Sequence, residues 1–273
     1  MLIVPIHPTA IIDPRAEIAS DVTVGPYAII EGAVKIGPRT KIYARAHIMG
    51  RTEIGEDCQI HMGAIIGHEP QDLGFRGQES WVKIGDRNIL RENVTVHRGT
   101  QEGSVTYIGH ENYFMGGVHI AHNCTIGNRV ILCNNVLAAG YVQIEDQAFV
   151  SGGVVLHQFI RVGKLAMISG WSALSKDVPP FLIAQGRNCV KAVNIVGLRR
   201  AGYPPSARRE IKRAFKKLFR SGLNLSQALA LWEGQELSQE VQYLVKFIKT
   251  SKRGVCRGNS RKPGGVFEET EED

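Results

Sequence analysis

His119 and His122 stand three residues apart in the segment Val118-His119-Ile120-Ala121-His122-Asn123-Cys124, and Gly140 follows His122 by 18 residues. Imidazole is the side chain best suited to moving a proton near neutral pH, and a positioned histidine base contributes typically ~10²–10⁴ in rate. A backbone N–H beside it can stabilise a developing oxyanion, so a histidine and a glycine on one edge suit acyl transfer. Two other readings compete: an ordinary surface histidine, the commoner fate of a His-x-x-His pair, and zinc held between subunits. Spacing alone leaves these open. The element that carries the histidines must decide where they point.

That element is a repeat of six. Of the 29 positions that are multiples of six up to Leu174, only Asp72, Gln78 and Glu102 are not apolar. Neither a helix nor a simple strand has this period, and a hexapeptide solenoid of short strands and turns does. Each unit carries an aliphatic residue, often a glycine next, and a short side chain four later, as in Ile36-Gly37 with Thr40 and Ile54-Gly55 with Cys58. The glycine is expected to permit the tight corner. If three units complete a coil, residues 18 apart stack roughly 4.8 Å from one another, as neighbouring strands do. Ile120 is then a core position, His122 projects outward, and Gly140 lies one coil away on the same edge.

Two segments leave the pattern. Residues 67–83 contain Asp72 and Gln78 at core positions, and residues 101–107 contain Glu102. Both read as external loops, and solenoids tend to carry function on such insertions. The repeats end at Asp177-Val178-Pro179-Pro180. Beyond them, residues 206–221 read as an amphipathic helix with Ile211, Phe215, Leu218 and Phe219 on one face and Gly222 as a stop. Residues 225–232 suggest a second helix, and Val241, Leu244, Val245 and Ile248 mark a third, capped by Ser238. Three regions follow: repeats over 1–180, helices over 181–250, and a tail over 251–273 whose charge runs and glycines read as disordered.

Composition narrows the partners. Hydrophobic residues make up 43% of the 273, enough for a core, without the ~18 unbroken apolar residues of a membrane span. No secretory signal precedes the first repeat. Five cysteines without paired spacing read as reduced thiols in a cytoplasmic protein, and no metal is expected. The net charge of +7 concentrates near the end, in Arg199, Arg200, Arg208, Arg209, Lys212, Arg213, Lys216, Lys217 and Arg220. A solvated helix face explains most such runs. With no nucleic-acid motif present, an acidic protein or a phosphorylated metabolite is the preferred partner.

An ordered set of segments makes the reading specific. It comprises Pro70-Gln71-Asp72-Leu73, Ile84-Gly85-Asp86-Arg87-Asn88, the run from Arg91 to Thr100, His119-Ile120-Ala121-His122, Val155-Leu156-His157-Gln158-Phe159, Asp177-Val178-Pro179-Pro180 and Ile183-Ala184-Gln185-Gly186. From Ile6 to about Thr250 the chain resembles the acyl-[acyl carrier protein]–UDP-N-acetylglucosamine O-acyltransferases, which open lipid A biosynthesis. The resemblance implies a mainly β protein, a left-handed parallel β-helix followed by a small α-helical domain. That sense of winding departs from the usual right-handed crossover rule, so pattern and family carry it.

The resemblance also implies roles. His122 matches the general base, Gly140 the oxyanion donor, and Asp72 a residue reaching the substrate from a neighbouring subunit. His119, His157 and Gln158 match residues that position sugar and acyl chain. Asn194 and Arg200 match the nucleotide end, where a guanidinium pairs with diphosphate. Gly170 matches the limiter of acyl-chain length. Family members are homotrimers that take 3-hydroxyacyl groups from acidic acyl carrier protein to UDP-N-acetylglucosamine, without a cofactor, nucleic acid or stable membrane insertion.

Four positions depart from the family pattern: Asn123 stands for the usual aspartate, Tyr141 for a histidine, Gly74 for a lysine and Val196 for a glutamate. They bear on the acceptor, and a 3-amino sugar nucleotide, giving an amide, is the alternative substrate. The later N-acyltransferase of the pathway carries a uridine-binding domain ahead of its repeats, whereas here repeats begin at Ile6. An acetyl-CoA-dependent acetyltransferase lacks the Gln71-Asp72 loop. A non-catalytic scaffold is the remaining alternative, and it predicts that His122 is dispensable.

Overall fold

The computed structural model describes residues 6–232 and 234–258. Strands of two to four residues recur every six residues and form three faces, joined by corners. One parallel sheet of nine strands runs from Ile11–Ile12 to Ala173–Leu174, and a second of eight runs from Glu17–Ile18 to Arg161–Val162. The third begins at Thr23–Val24 and reaches eleven strands. Sixfold periodicity becomes a core ladder because each strand turns its last repeat residue inward. Ile30, Ile48, Ile66, Val96, Ile120, Ala138 and Leu156 stack in register down the nine-stranded sheet, each 0% exposed. Each such large aliphatic side chain contributes roughly 1.5–3 kcal/mol through burial.

The corners correct one expectation. The glycines that follow the aliphatic residues do not take the left-handed conformation; the residues two positions later do, with φ of 59° at Arg39, 55° at Asp57 and 54° at Arg129. Glycine is required for a different reason. A Cβ on Gly37 would sit 2.7 Å from the Gly55 carbonyl carbon, and one on Gly127 would sit 2.4 Å from Asp146 Oδ1. The coils approach too closely there for any side chain.

The two insertions leave the coil where the period lapses. Ile84 pairs with Ile54, thirty residues back, and Ile108 pairs with Ile84, so the register resumes after each excursion. The chain between strands Ile65–His68 and Trp81–Ile84 forms the longer loop, and that between Thr95–His97 and Val105–Ile108 the shorter. Cys58 and Cys124 are buried free thiols in the wall of the coil, and burial pushes both up, to about 11 and about 12.

The sheet continues past residue 180. Strand Leu182–Gln185 adds parallel to Met167–Ile168 and then folds back on Cys189–Val193 as an antiparallel hairpin. Four helices follow: α1 (Ile195–Arg200), α2 (Pro205–Phe219), α3 (Leu225–Ala230) and α4 (Gln239–Lys249). The first is absent from the sequence reading, being too short for periodicity to reveal. Ala214, Leu218, Ala228, Trp232, Leu244 and Ile248 close a second core between them. Ser238 occupies the N-cap position of α4 but makes no capping bond, and its hydroxyl is buried without a partner. The tail reading also changes: residues 251–258 return to the sheet, where Arg257–Gly258 pairs with Cys189–Val193 and Cys256 is fully buried. Residues 259–273 lie outside the described residues.

Candidate active site

Parallel stacking brings residues 18 apart into columns, and three columns build the site. His119 leads off strand His119–Ile120, paired with Thr95 on one side and Leu137 on the other. At the corner beyond, His122, Gly140 and Gln158 follow one another on successive coils, as do Asn123, Tyr141 and Phe159. Those last three all take the left-handed conformation, with φ of 61°, 62° and 66°. The geometry turns their side chains along the corner: the Tyr141 ring stacks on Phe159 at 4.8 Å and meets the His122 ring edge-on at 5.4 Å.

His122 leaves the core ladder as expected, yet it is covered, with 5% exposure. The imidazole lies directly over Gly140, where an added Cβ would come within 2.6 Å of Nε2. The Gly140 N–H donates to no protein acceptor among the described residues. The long loop supplies the third side, with Asp72 Oδ2 at 3.9 Å from His122 Nε2. The resemblance places Asp72 in a neighbouring subunit's site; here the loop folds back over its own coil, so one chain carries both groups. Asp72 Oδ1 accepts the Gly74 N–H at 2.7 Å, which turns the loop at that point.

Further groups surround this centre. His122 Nδ1 meets Asn123 Oδ1 at 3.0 Å, and the same oxygen accepts from the Thr100 N–H and hydroxyl at 3.1 and 3.0 Å. His119 Nδ1 bonds Thr95 Oγ1 at 2.7 Å, and burial followed by the charge of His122 lowers its pKa. His97, 6% exposed, packs edge-on against His119 at 5.2 Å; burial first, then His119 and His68, pull it down to about 4. His119 and His97 are therefore neutral at pH 7, which spares His122 two like charges. No group of three or more His, Cys, Asp or Glu side chains among the described residues is placed to hold a metal ion.

The remaining expected residues lie apart from this centre within one chain. Gln158 continues the His122 column two coils further on and is exposed, as is His157, whose Nδ1 lies 3.2 Å from Arg253. Gly170 is at the opposite edge of the nine-stranded sheet, before its last strand. Asn194 is committed to the fold: its Oδ1 caps α1 by accepting the Gly197 N–H at 3.0 Å, and its Nδ2 donates to the Leu165 carbonyl at 2.9 Å. At 8% exposure it shapes the turn into α1. Arg200 ends α1 exposed and makes no ion pair among the described residues. Thr100 is the site residue that sequence reasoning does not single out; it precedes the shorter insertion, and no spacing rule brings it to Asn123.

A coil of hexapeptides carrying a covered histidine over a free backbone N–H defines a hexapeptide-repeat transferase, and residues 33–68 match the family described as "Bacterial transferase hexapeptide (six repeats)". Residues 177–256 match that described as "Udp N-acetylglucosamine O-acyltransferase; Domain 2". An acyl-[acyl-carrier-protein]–UDP-N-acetylglucosamine O-acyltransferase from Janthinobacterium sp. is 45% identical over 259 residues, covering 92% of this chain and 99% of its own. One from Thermodesulfovibrio yellowstonii is 46% identical over 256 residues, with the same coverage. The crystal structure of a UDP-N-acetylglucosamine acyltransferase from Bacteroides fragilis superposes with a TM-score of 0.88 at 42% identity, over 92% of this chain and 99% of that one. The corresponding Acinetobacter baumannii structure gives 0.89 at 40% identity, over 93% and 100%. The chain belongs to the acyl-[acyl-carrier-protein]–UDP-N-acetylglucosamine O-acyltransferase family, and its coil is a left-handed parallel β-helix.

Proposed function

We propose that the chain transfers a 3-hydroxyacyl group from acyl carrier protein to the 3-hydroxyl of UDP-N-acetylglucosamine, the first step of lipid A biosynthesis, with His122 as general base. The observation that carries this reading is the covered His122 imidazole lying over Gly140, whose N–H is uncommitted. Nε2 takes the proton of the sugar hydroxyl as its oxygen attacks the thioester carbonyl. The Gly140 N–H then donates to the tetrahedral oxyanion. Collapse breaks the C–S bond, and the imidazolium returns its proton to the departing thiolate. The Asp72 carboxylate, 3.9 Å from Nε2, favours the transient imidazolium electrostatically.

Around this step, His119, His157 and Gln158 are assigned to positioning sugar and acyl chain, and Gly170 to limiting chain length. Asn194 and Arg200 are assigned to the nucleotide end, the guanidinium to the diphosphate. The protein acts as a cytoplasmic homotrimer, and the separation of Gly170 and Arg200 from His122 along one chain fits a cleft completed by a second copy. Among the described residues no helix is long and apolar enough to cross a membrane. The basic face of α2, with Arg209, Lys212, Arg213 and Lys216, suits an acidic carrier protein.

The test is mass spectrometry of products from a ladder of 3-hydroxyacyl carrier proteins with UDP-N-acetylglucosamine and its 3-amino analogue in competition. An ester product supports the reading; a dominant amide would replace the acceptor. The His122→Ala variant should lose ~10²–10⁴ of turnover while remaining assembled. Undiminished turnover in that variant would reject His122 as base.

A further inference from the structure

Asparagine beside a catalytic histidine is hazardous. Its amide can present either oxygen or NH₂, and the NH₂ face stabilises the wrong imidazole tautomer; an aspartate-to-asparagine change of this kind in a serine protease costs ~10⁴ in rate. The surroundings of Asn123 remove that freedom. The Thr100 backbone N–H can only donate, and it meets Asn123 Oδ1 at 3.1 Å. Were the amide reversed, its NH₂ would face this N–H, donor against donor. With Oδ1 fixed as the acceptor, the 3.0 Å contact to His122 is a hydrogen bond only if Nδ1 carries the proton.

The hydroxyls extend the argument. Thr100 Oγ1 lies 3.0 Å from Asn123 Oδ1 and 3.1 Å from the Tyr141 hydroxyl. If its proton pointed to Tyr141, two acceptor oxygens would face each other at the amide, so it points to Oδ1. Tyr141 must then donate to Oγ1. The donors run one way, from Tyr141 O–H to Thr100 O–H to Asn123 Oδ1, where the His122 N–H also arrives. Thr100 is 5% exposed, so water does not substitute readily for either partner.

We propose that Thr100 and Tyr141 are positioning residues that lock the Asn123 amide as an acceptor and thereby hold His122 in the Nδ1–H tautomer, leaving Nε2 bare. The proposal rests on His122 acting as base, but its first readout does not. In the full-length protein labelled with ¹⁵N-histidine, long-range ¹H–¹⁵N correlation reports the His122 tautomer without substrate. Nδ1–H is expected, and Nε2–H overturns the proposal whatever the activity. The second readout is turnover. Removing one hydroxyl, as Thr100→Val or Tyr141→Phe, should lower kcat about fivefold, the worth of one hydrogen bond, with little change in KM. Tyr141→Phe keeps both ring contacts.

Because Tyr141 acts through Thr100, Tyr141→Phe should cost nothing further in a Thr100→Val background. In an Asn123→Asp background the carboxylate has no NH₂ face to exclude, so the Tyr141→Phe penalty should vanish. Multiplicative losses in the double variants would overturn the relay and give Tyr141 a direct role on substrate. Should His122→Ala retain full turnover while the Nδ1–H tautomer is observed, the base assignment fails and the tautomer lock stands.

Discussion

Adding a single methyl group at Gly140 should disable the enzyme without removing any group that does chemistry. A Cβ there would lie 2.4 Å from His122 Cε1, 2.6 Å from Nε2 and 3.1 Å from Nδ1. Ordinary carbon contacts begin near ~3.4 Å, so the ring must retreat by about 1 Å. The Tyr141 ring, 5.4 Å away edge-on, and the Nδ1 bond to Asn123 oppose that retreat. A misplacement of ~1 Å costs ~10²-fold, or ~2.7 kcal/mol of activation free energy. Gly140 is not in the left-handed region, so alanine keeps both the backbone path and the N–H. The loss in Gly140→Ala therefore reads ring displacement and not loss of the oxyanion donor. The assay is kcat under saturating acyl carrier protein and sugar nucleotide, with far-UV circular dichroism confirming the fold. A kcat within twofold of the parent would refute the reasoning. So would a further large loss on adding Gly140→Ala to His122→Ala, since the methyl group would then be acting on something other than the imidazole.

Three other outcomes follow from the geometry. His97 sits at about 4 in the folded protein against 6.5 when free, so the unfolded chain binds more protons between those values. Stability is then present above pH ~6.5 and falls by roughly 3 kcal/mol as pH drops to ~4; His97→Gln should flatten that decline in urea titrations. Arg161 bridges coil and helices: its backbone N–H and Nε bond Asp177 at 2.9 and 3.1 Å, Nη2 donates to the Phe247 carbonyl at 2.8 Å, and the guanidinium lies 4.2 Å over the Phe247 ring. Arg161→Ala removes the cation paired with the Asp177 carboxylate, 1% exposed, leaving it the backbone N–H of residue 161 and the Ser251 hydroxyl, and should cost ~3 kcal/mol with proteolysis between 181 and 205 as the sensitive readout. Phe114 is fully buried at a ladder position, and Phe114→Ala should cost ~3–5 kcal/mol by denaturant titration while leaving the surviving folded fraction active.

The coil was legible because one residue in six repeats a single physical demand, and 26 of 29 such positions meet it. The three failures, Asp72, Gln78 and Glu102, mark the insertions for the same reason. His122 and Gly140 were legible as a pair only once the resemblance supplied a three-sided coil, in which residues 18 apart are neighbours. What escaped depends on contacts without periodicity. The short α1 lacks two turns of pattern, and the sheet takes back residues 251–258 through backbone pairing to which side-chain type gives little clue. The corner glycines were assigned to conformation when crowding by the adjacent coil was the cause. Asn194 fits the family's nucleotide end by position alone, and only the structure shows its amide bound to Gly197 and Leu165.

The regular coils set Gly140, Asn123 and Tyr141 around His122. Two further groups of the site arrive with departures from the period. The longer insertion brings Asp72 to 3.9 Å from Nε2, and the turn into the shorter one sets Thr100 against Asn123. Each insertion is a multiple of six, since pairing resumes at Ile84 and again at Ile108 with the same residue facing inward. Because each insertion stands outside the coil, the apolar residues beyond it, and not its length, set where the ladder resumes. The period therefore fixes the edge on which the imidazole stands and leaves the loops free to vary in length around it. Deleting either six or five residues from the longer loop should preserve the fold and lose the Asp72 contact; circular dichroism of the two variants checks this, and loss of the folded signal in the five-residue deletion alone would show that loop length sets the register.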